Sequence, residues 1–170
     1  CTNVGTGKAV YKRLMEVDNN CLEYIRASAS MPIAARIVTV EGKKLLDGGI
    51  ADSIPLRFFQ EQGYNRNLVV LTQPANYVKE PNKLMPLMRL WLRRHARIIR
   101  ALEQRHIMYN NQLEYVRQEE KKSNTLVLRP ETALTIGHLS HNPDDMQATY
   151  EHGRKVATEH LEEIKAFFSE

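Results

Sequence analysis

Between Ile37 and Thr72 the sequence changes its apolar period every few residues, and this alternation limits the possible folds more than any other feature. Ile37-Val38-Thr39-Val40 is β-branched throughout and suits a pleated, extended backbone. Glu41-Gly42 reads as a turn, and KKLL at 43–46 as a second short strand, so Asp47 sits just past a strand end. Ser53-Ile54-Pro55 opens a helix ending near Gly63, with Ser53 the expected cap and Pro55 in the first turn. Residues 67–72 (NLVVLT) have the pattern of a strand buried on both faces. Strand, helix and strand in this order predict an α/β layer arrangement.

The flanks extend that reading. Residues 7–11 (GKAVY) read as the second arm of a hairpin turning at Gly5-Thr6-Gly7, and 21–29 as a helix capped by Asn20 and ended by Met31-Pro32. After Gln73 the character changes. Pro74 and Pro81 bracket a loop, and 84–118 is strongly helical, with Pro86 in its first turn and a break expected near 94–97. Residues 124–128 (NTLVL) add one more strand. Asn142-Pro143-Asp144-Asp145 has the form of a helix start: a cap, a proline, then acids suited to the positive end of the dipole. Met146, Tyr150, Gly153, Ala157, Leu161, Ile164 and Phe168 follow at spacings of three and four, forming one apolar stripe on a terminal helix.

The 170 residues suffice for one domain with a real core. No apolar run approaches the roughly 20 residues that a membrane-spanning helix needs. Cys1 and Cys21 form no CxxC or Cys/His pattern, which suits a reducing, cytoplasmic setting. The sequence opens on Cys1 rather than Met. A processed lipoprotein would also begin with Cys, but structured-looking sequence follows with no tether, so a fragment of a longer protein is the expectation.

Three constellations invite chemistry and each has a plainer reading. Gly5-Thr6-Gly7-Lys8 fails as a phosphate loop, because Thr2 stands where the first glycine is needed and Ala9 where Ser or Thr is needed. His138-Leu139-Ser140-His141 with Asp144 and Asp145 could offer metal ligands, but helix capping already accounts for 142–145, and no metal is expected. Arg89, Arg93, Arg94, Arg97, Arg100 and Arg105, with His95 and His106, form a basic face in a chain of net charge +4. A solvated face is its default reading. Anionic headgroup contact through Arg93, Arg94 and Arg97 comes second. No aromatic platform or nucleic-acid motif accompanies the arginines, so no nucleic-acid partner is expected.

An acid at a strand end is held by a rigid scaffold, and Gly48-Gly49 after Asp47 permit positive φ and a close backbone approach. Alone this is also an ordinary turn. Its surroundings add to it: Arg26-Ala27-Ser28-Ala29-Ser30-Met31-Pro32, a strand, Glu41-Gly42, Leu45-Leu46-Asp47-Gly48-Gly49-Ile50 and Asp52-Ser53-Ile54-Pro55. This order resembles the second half of the patatin-like phospholipases, and CTNVGTG at 1–7 looks like the family's strand and turn before that helix. The resemblance covers about residues 1–75. Arg105, Tyr109-Asn110 and 150–154 (YEHGR) look like the C-terminal extension of a bacterial subgroup.

The resemblance implies the C-terminal part of a three-layer α/β core over 1–75. A mostly helical extension with one added strand over 76–170 would pack with it as one unit. It implies a serine acyl hydrolase of lipid esters working through a Ser-Asp dyad, with Asp47 the acid, Gly48 and Gly49 its motif partners, and no cofactor. The family's Gly-x-Ser-x-Gly elbow and oxyanion loop have no counterpart here, so half of the active site is present and the chain alone is expected to be inactive. Ser28 and Ser30 lie in no elbow and read as helix-end and pocket-wall residues. The expected partners are an ester or lipid substrate, the N-terminal half of the same protein, and a second copy across an open strand edge. The rival readings are a non-catalytic scaffold piece and a basic module docking on anionic membrane or nucleic acid.

Overall fold

A computed structural model describes residues 1–137 and 140–169. Helix and strand are mixed along the chain, and the residues separate into two compact units, 1–55 with 79–113, and 56–78 with 114–170.

The first unit is organised by a three-stranded antiparallel sheet in the order β1 (Thr2–Asn3), β3 (Lys43–Leu46), β2 (Val38–Val40). Thr2 pairs with Leu46, and Val38 with Leu45. Successive strand side chains point to opposite faces, so Leu45 and Leu46 serve different cores. Leu45 packs with Val38, Val40, and Tyr24 and Ala27 of α1 (Asn19–Ser28). Leu46 packs with Val4 and Ile50, with Met88 of α3 (Met85–Trp91) and Leu92 just beyond it, and with Ile98 and Leu102 of α4 (Ala96–Lys121). The sheet is thus covered by helix on both faces. Both leucines are fully buried, each contributing about 1.5–3 kcal/mol of transfer free energy.

The hairpin before α1 is short: Ala9 bridges Thr2, and the turn closes through Gly7 N–H to Asn3 O at 2.7 Å. Gly7 has φ +69°, and a Cβ there would lie 2.7 Å from the Arg97 carbonyl oxygen. Only glycine satisfies both demands. Tyr24 OH and Lys12 Nζ both reach the Glu41 carboxylate, at 2.8 and 2.9 Å, tying α1 and the segment before it to the β2–β3 turn.

In the second unit β4 (Asn67–Val70) and β5 (Thr125–Leu128) pair in parallel, from Asn67 opposite Thr125 to Val70 opposite Leu128. Parallel neighbours need a long crossover, and the chain supplies one. Glu119 is buried and accepts from Gln60 Nε2 of α2 (Leu56–Glu61) at 2.8 Å, Asn124 Nδ2 at 3.0 Å and Lys122 Nζ at 2.6 Å. These donors, Lys122 first, hold its carboxyl below the usual carboxylate range against the opposing effect of burial. One acid therefore joins α2, the end of α4 and the approach to β5. α5 (Pro143–Glu159) and α6 (Leu161–Ser169) complete the chain.

Several expectations need correction. The cap of α1 is Asp18, whose carboxylate accepts from Cys21 N–H at 2.7 Å; Asn20 lies inside the helix. Ser53 does not cap α2, because its hydroxyl turns back to the Gly49 carbonyl at 2.6 Å. Strand β4 is not buried on both faces: Val70 is 68% exposed. The terminal helix is two helices parted at His160, and its apolar stripe is uncovered at Met146, Tyr150, Leu161 and Phe168. The Asn142 cap, Pro143 and the two acids stand as expected, with Asn142 Oδ1 accepting from Asp144 N–H at 3.0 Å. The break between α3 and α4 falls at 92–95, beside the expected position.

Candidate active site

Asp47 follows the last residue of β3 and caps a single 3-10 turn, Gly48–Ile50. Its backbone is fixed from two sides: its N–H donates to Ser30 O at 2.9 Å, and its carbonyl accepts from Thr2 Oγ1 at 2.8 Å. Thr2 is fully buried, and its hydroxyl oxygen also accepts from Ala51 N–H at 3.2 Å. The half-buried Asp47 carboxylate accepts through Oδ1 from Gly49 N–H at 2.8 Å. Among the described residues no donor meets its Oδ2, so one carboxylate oxygen is held and the other is available.

The two glycines serve differently from the expectation. Neither has positive φ. What they provide is space. A Cβ on Gly48 would lie 3.1 Å from the Cys1 backbone nitrogen, and one on Gly49 would lie 3.0 Å from Asp47 Oδ1 and 3.4 Å from Arg105 Nη2. The close backbone approach is therefore present without the unusual dihedral angle.

The rest of the loop is held by α4. Arg105 Nε donates to Gly49 O at 2.6 Å, and Gln112 Oε1 accepts from Ser53 N–H at 3.2 Å and Ile54 N–H at 3.0 Å. Gln112 Nε2 also donates to Asp52 Oδ1 at 2.5 Å, and Tyr11 OH meets the other Asp52 oxygen. Half-buried Lys79 sits over the Tyr109 ring, its backbone exchanging bonds with the Asn110 side chain. Burial first, and then the Arg105 charge, lowers its pKa below the ordinary lysine value. Sequence reasoning places Arg105 on a basic face and in the C-terminal extension, not at the loop, and passes over Gln112. Glutamine carries no charge signal, and only the fold brings it to the loop.

The remaining candidates separate. Arg93 and Arg94 are exposed in the turn between α3 and α4. Arg97 is exposed and donates to Gly5 O at 3.1 Å, and Arg89 pairs with Glu103 at 2.5 Å. The basic face is thus divided among different tasks. Ser28 Oγ would lie 3.7 Å from a Cβ on Gly48, whereas Ser30 is buried with its hydroxyl given to Arg26 O at 2.7 Å. His138 lies outside the described residues; among those described, no group of three His, Cys, Asp or Glu side chains could hold a metal ion. No helix among them is long and apolar enough to cross a membrane.

Comparison with known proteins bears on the same stretch. Residues 95–169 match a domain of unknown function, DUF6363. An uncharacterized protein of Escherichia coli (strain K12), YjjU, is 40% identical over 63 residues, which is 36% of this chain and 18% of that protein. The chain therefore aligns with less than a fifth of that relative's length. Residues 4–59, which carry the Asp47 turn and the Ser30 carbonyl that accepts its N–H, match the patatin-like phospholipase family model.

Proposed function

We propose that this chain supplies the acid member of a Ser-Asp dyad in a patatin-like serine acyl hydrolase acting on lipid esters, with the serine standing in a Gly-x-Ser-x-Gly elbow outside these residues. The observation that carries the reading is the Asp47 carboxylate: rigid backbone, Oδ1 capped by Gly49 N–H, Oδ2 available, all at a strand end. The serine Oγ attacks the ester carbonyl as its proton passes to the carboxylate. The tetrahedral intermediate collapses, the alcohol leaves with that proton, and water then hydrolyses the acyl-serine with the same group as base. An ordinary aspartate is a weak base, so docking of the serine-bearing half has to exclude water from Asp47.

The expected result is that the parent polypeptide takes up a fluorophosphonate probe at its serine and hydrolyses p-nitrophenyl esters, while residues 1–170 alone do neither. Ester hydrolysis by the 170 residues, abolished in Asp47→Asn, would overturn the account of the missing nucleophile.

One observation favours docking of the same protein at an anionic lipid surface. Leu87, Leu90 and Trp91 of α3 and Leu84 before it are exposed, and Arg93 and Arg94 follow at once. Apolar side chains beside an aromatic and two arginines suit the headgroup boundary.

A further inference from the structure

We propose that Arg105 and Gln112 of α4 are positioning residues that hold the 47–54 loop in the shape its carboxylate needs; this rests on the reading of Asp47 as the dyad acid. The two lie about two turns apart and so share one helix face. Each takes one end of the loop.

Gly49 is the pivot at the first end. Its N–H donates to Asp47 Oδ1 at 2.8 Å, and its carbonyl takes two donors, Arg105 Nε and Ser53 Oγ, each at 2.6 Å. Fixing the carbonyl fixes the 49–50 peptide plane, whose Ile50 N–H donates to Asp47 O at 3.4 Å, and so restrains Gly49, whose own N–H holds the carboxylate. Arg105 supplies the stronger of the two bonds, because a guanidinium donor is charged and Ser53 is neutral. At the second end Gln112 uses both halves of its amide. Its oxygen takes the Ser53 and Ile54 N–H groups at 3.2 and 3.0 Å, and its nitrogen reaches Asp52 Oδ1 at 2.5 Å. The absence of a side chain at 49 makes this arrangement possible, since a Cβ would stand 3.0 Å from Asp47 Oδ1 and 3.4 Å from Arg105 Nη2. Both anchors fall inside the DUF6363 match and the loop inside the patatin-like match, so the second family segment acts on the first.

The test uses the parent polypeptide with Arg105→Gln, Arg105→Lys, Gln112→Ala and Asp47→Asn. Arg105→Gln should lower kcat on p-nitrophenyl butyrate about ten- to a hundredfold with KM nearly unchanged, since a displaced group costs rate rather than substrate affinity. Arg105→Lys, which keeps a charged donor, should recover most of that loss. Amide hydrogen exchange of a peptide covering 47–54 should quicken at least about tenfold in Arg105→Gln and in Gln112→Ala, with a peptide covering β3 unchanged. Unchanged exchange at 47–54 in a folded Arg105→Gln protein would overturn the clamp, as would unchanged kcat where Asp47→Asn abolishes it. If Asp47→Asn is fully active, the dyad reading fails and the exchange result alone decides the clamp. If Arg105→Gln does not fold, Gln112→Ala and Arg105→Lys decide it by the same two readouts.

Discussion

Around Asp47 nearly every polar group is engaged by a residue far away in sequence: Thr2 on its carbonyl, Ser30 on its N–H, Arg105 and Gln112 on the loop that follows. The C-terminal pair α5 and α6 is the opposite case. Its hydrogen bonds and ion pairs are mostly local, such as Asn142 to Asp144, Thr149 to Asp145 and Lys165 to Glu162, and neither helix has a buried residue among those described. A helix can be completed by its own neighbours, whereas a turn that aims one carboxylate needs partners from the whole unit. The first region should therefore be fragile to single changes and the second tolerant of them.

The largest expected contrast is between two leucines. Leu46→Ala, at a fully buried position next to Asp47, should cost about 3–5 kcal/mol by chemical denaturation. Leu161→Ala, 44% exposed at the start of α6, should cost less than about 0.5 kcal/mol. Equal costs would show that the stripe of α5 and α6 is covered in solution and would end the comparison.

Glycines give the next contrast. Gly7→Ala meets positive φ and the Arg97 carbonyl together and should lose about 2 kcal/mol or more. Gly42→Ala, at φ +70° with open space, should lose about 1 kcal/mol. Gly153→Ala, in α5 with nothing near, should raise stability by up to about 1 kcal/mol. Thermal melts of the three would rank them in that order.

Glu119 sharpens the comparison from within the second unit. Its pKa in the folded chain lies below the ordinary 4.5, so its stabilisation is in place above 4.5 and is lost as pH falls through the lowered value. Glu119→Gln should cost about 2 kcal/mol at pH 7 and flatten the acid limb of the stability curve. The same acid limb in the variant would assign it to other carboxylates.

The smallest effect concerns the lipid surface. Trp91→Ala together with Arg93→Gln and Arg94→Gln should weaken binding to phosphatidylglycerol vesicles about tenfold at low salt and less at high salt. Unchanged binding would leave the arginines as a solvated face.

The strands, the turn and the Asp47 position were legible in the sequence because they rest on local signals: the β-branched run at Val38-Thr39-Val40, and an acid and two glycines after Leu46. Choices between near-equivalent neighbours were less legible. Asp18, Asn19 and Asn20 all suit a cap, and the structure uses Asp18. Ser53 before Pro55 has the form of a cap, but the Gly49 carbonyl competes for its hydroxyl and wins. The glycines at 48 and 49 suggested positive φ, yet their requirement is room beside Cys1, Asp47 and Arg105, which depends on chain segments far away in sequence. Arg105 was visible as charge but not as a loop anchor. Periodicity named the stripe on α5 and α6 correctly as a face, and a face carries no information about what lies against it.

The central claim is that Asp47 is the acid of the dyad. The direct measurement is steady-state hydrolysis of p-nitrophenyl butyrate by the parent polypeptide carrying Asp47→Asn, beside Asp18→Asn, which removes a carboxylate from the same unit but leaves a competent helix cap. The account predicts that kcat falls about a thousandfold in Asp47→Asn and stays within about threefold in Asp18→Asn, with both proteins folded. Full activity in a folded Asp47→Asn protein would contradict it.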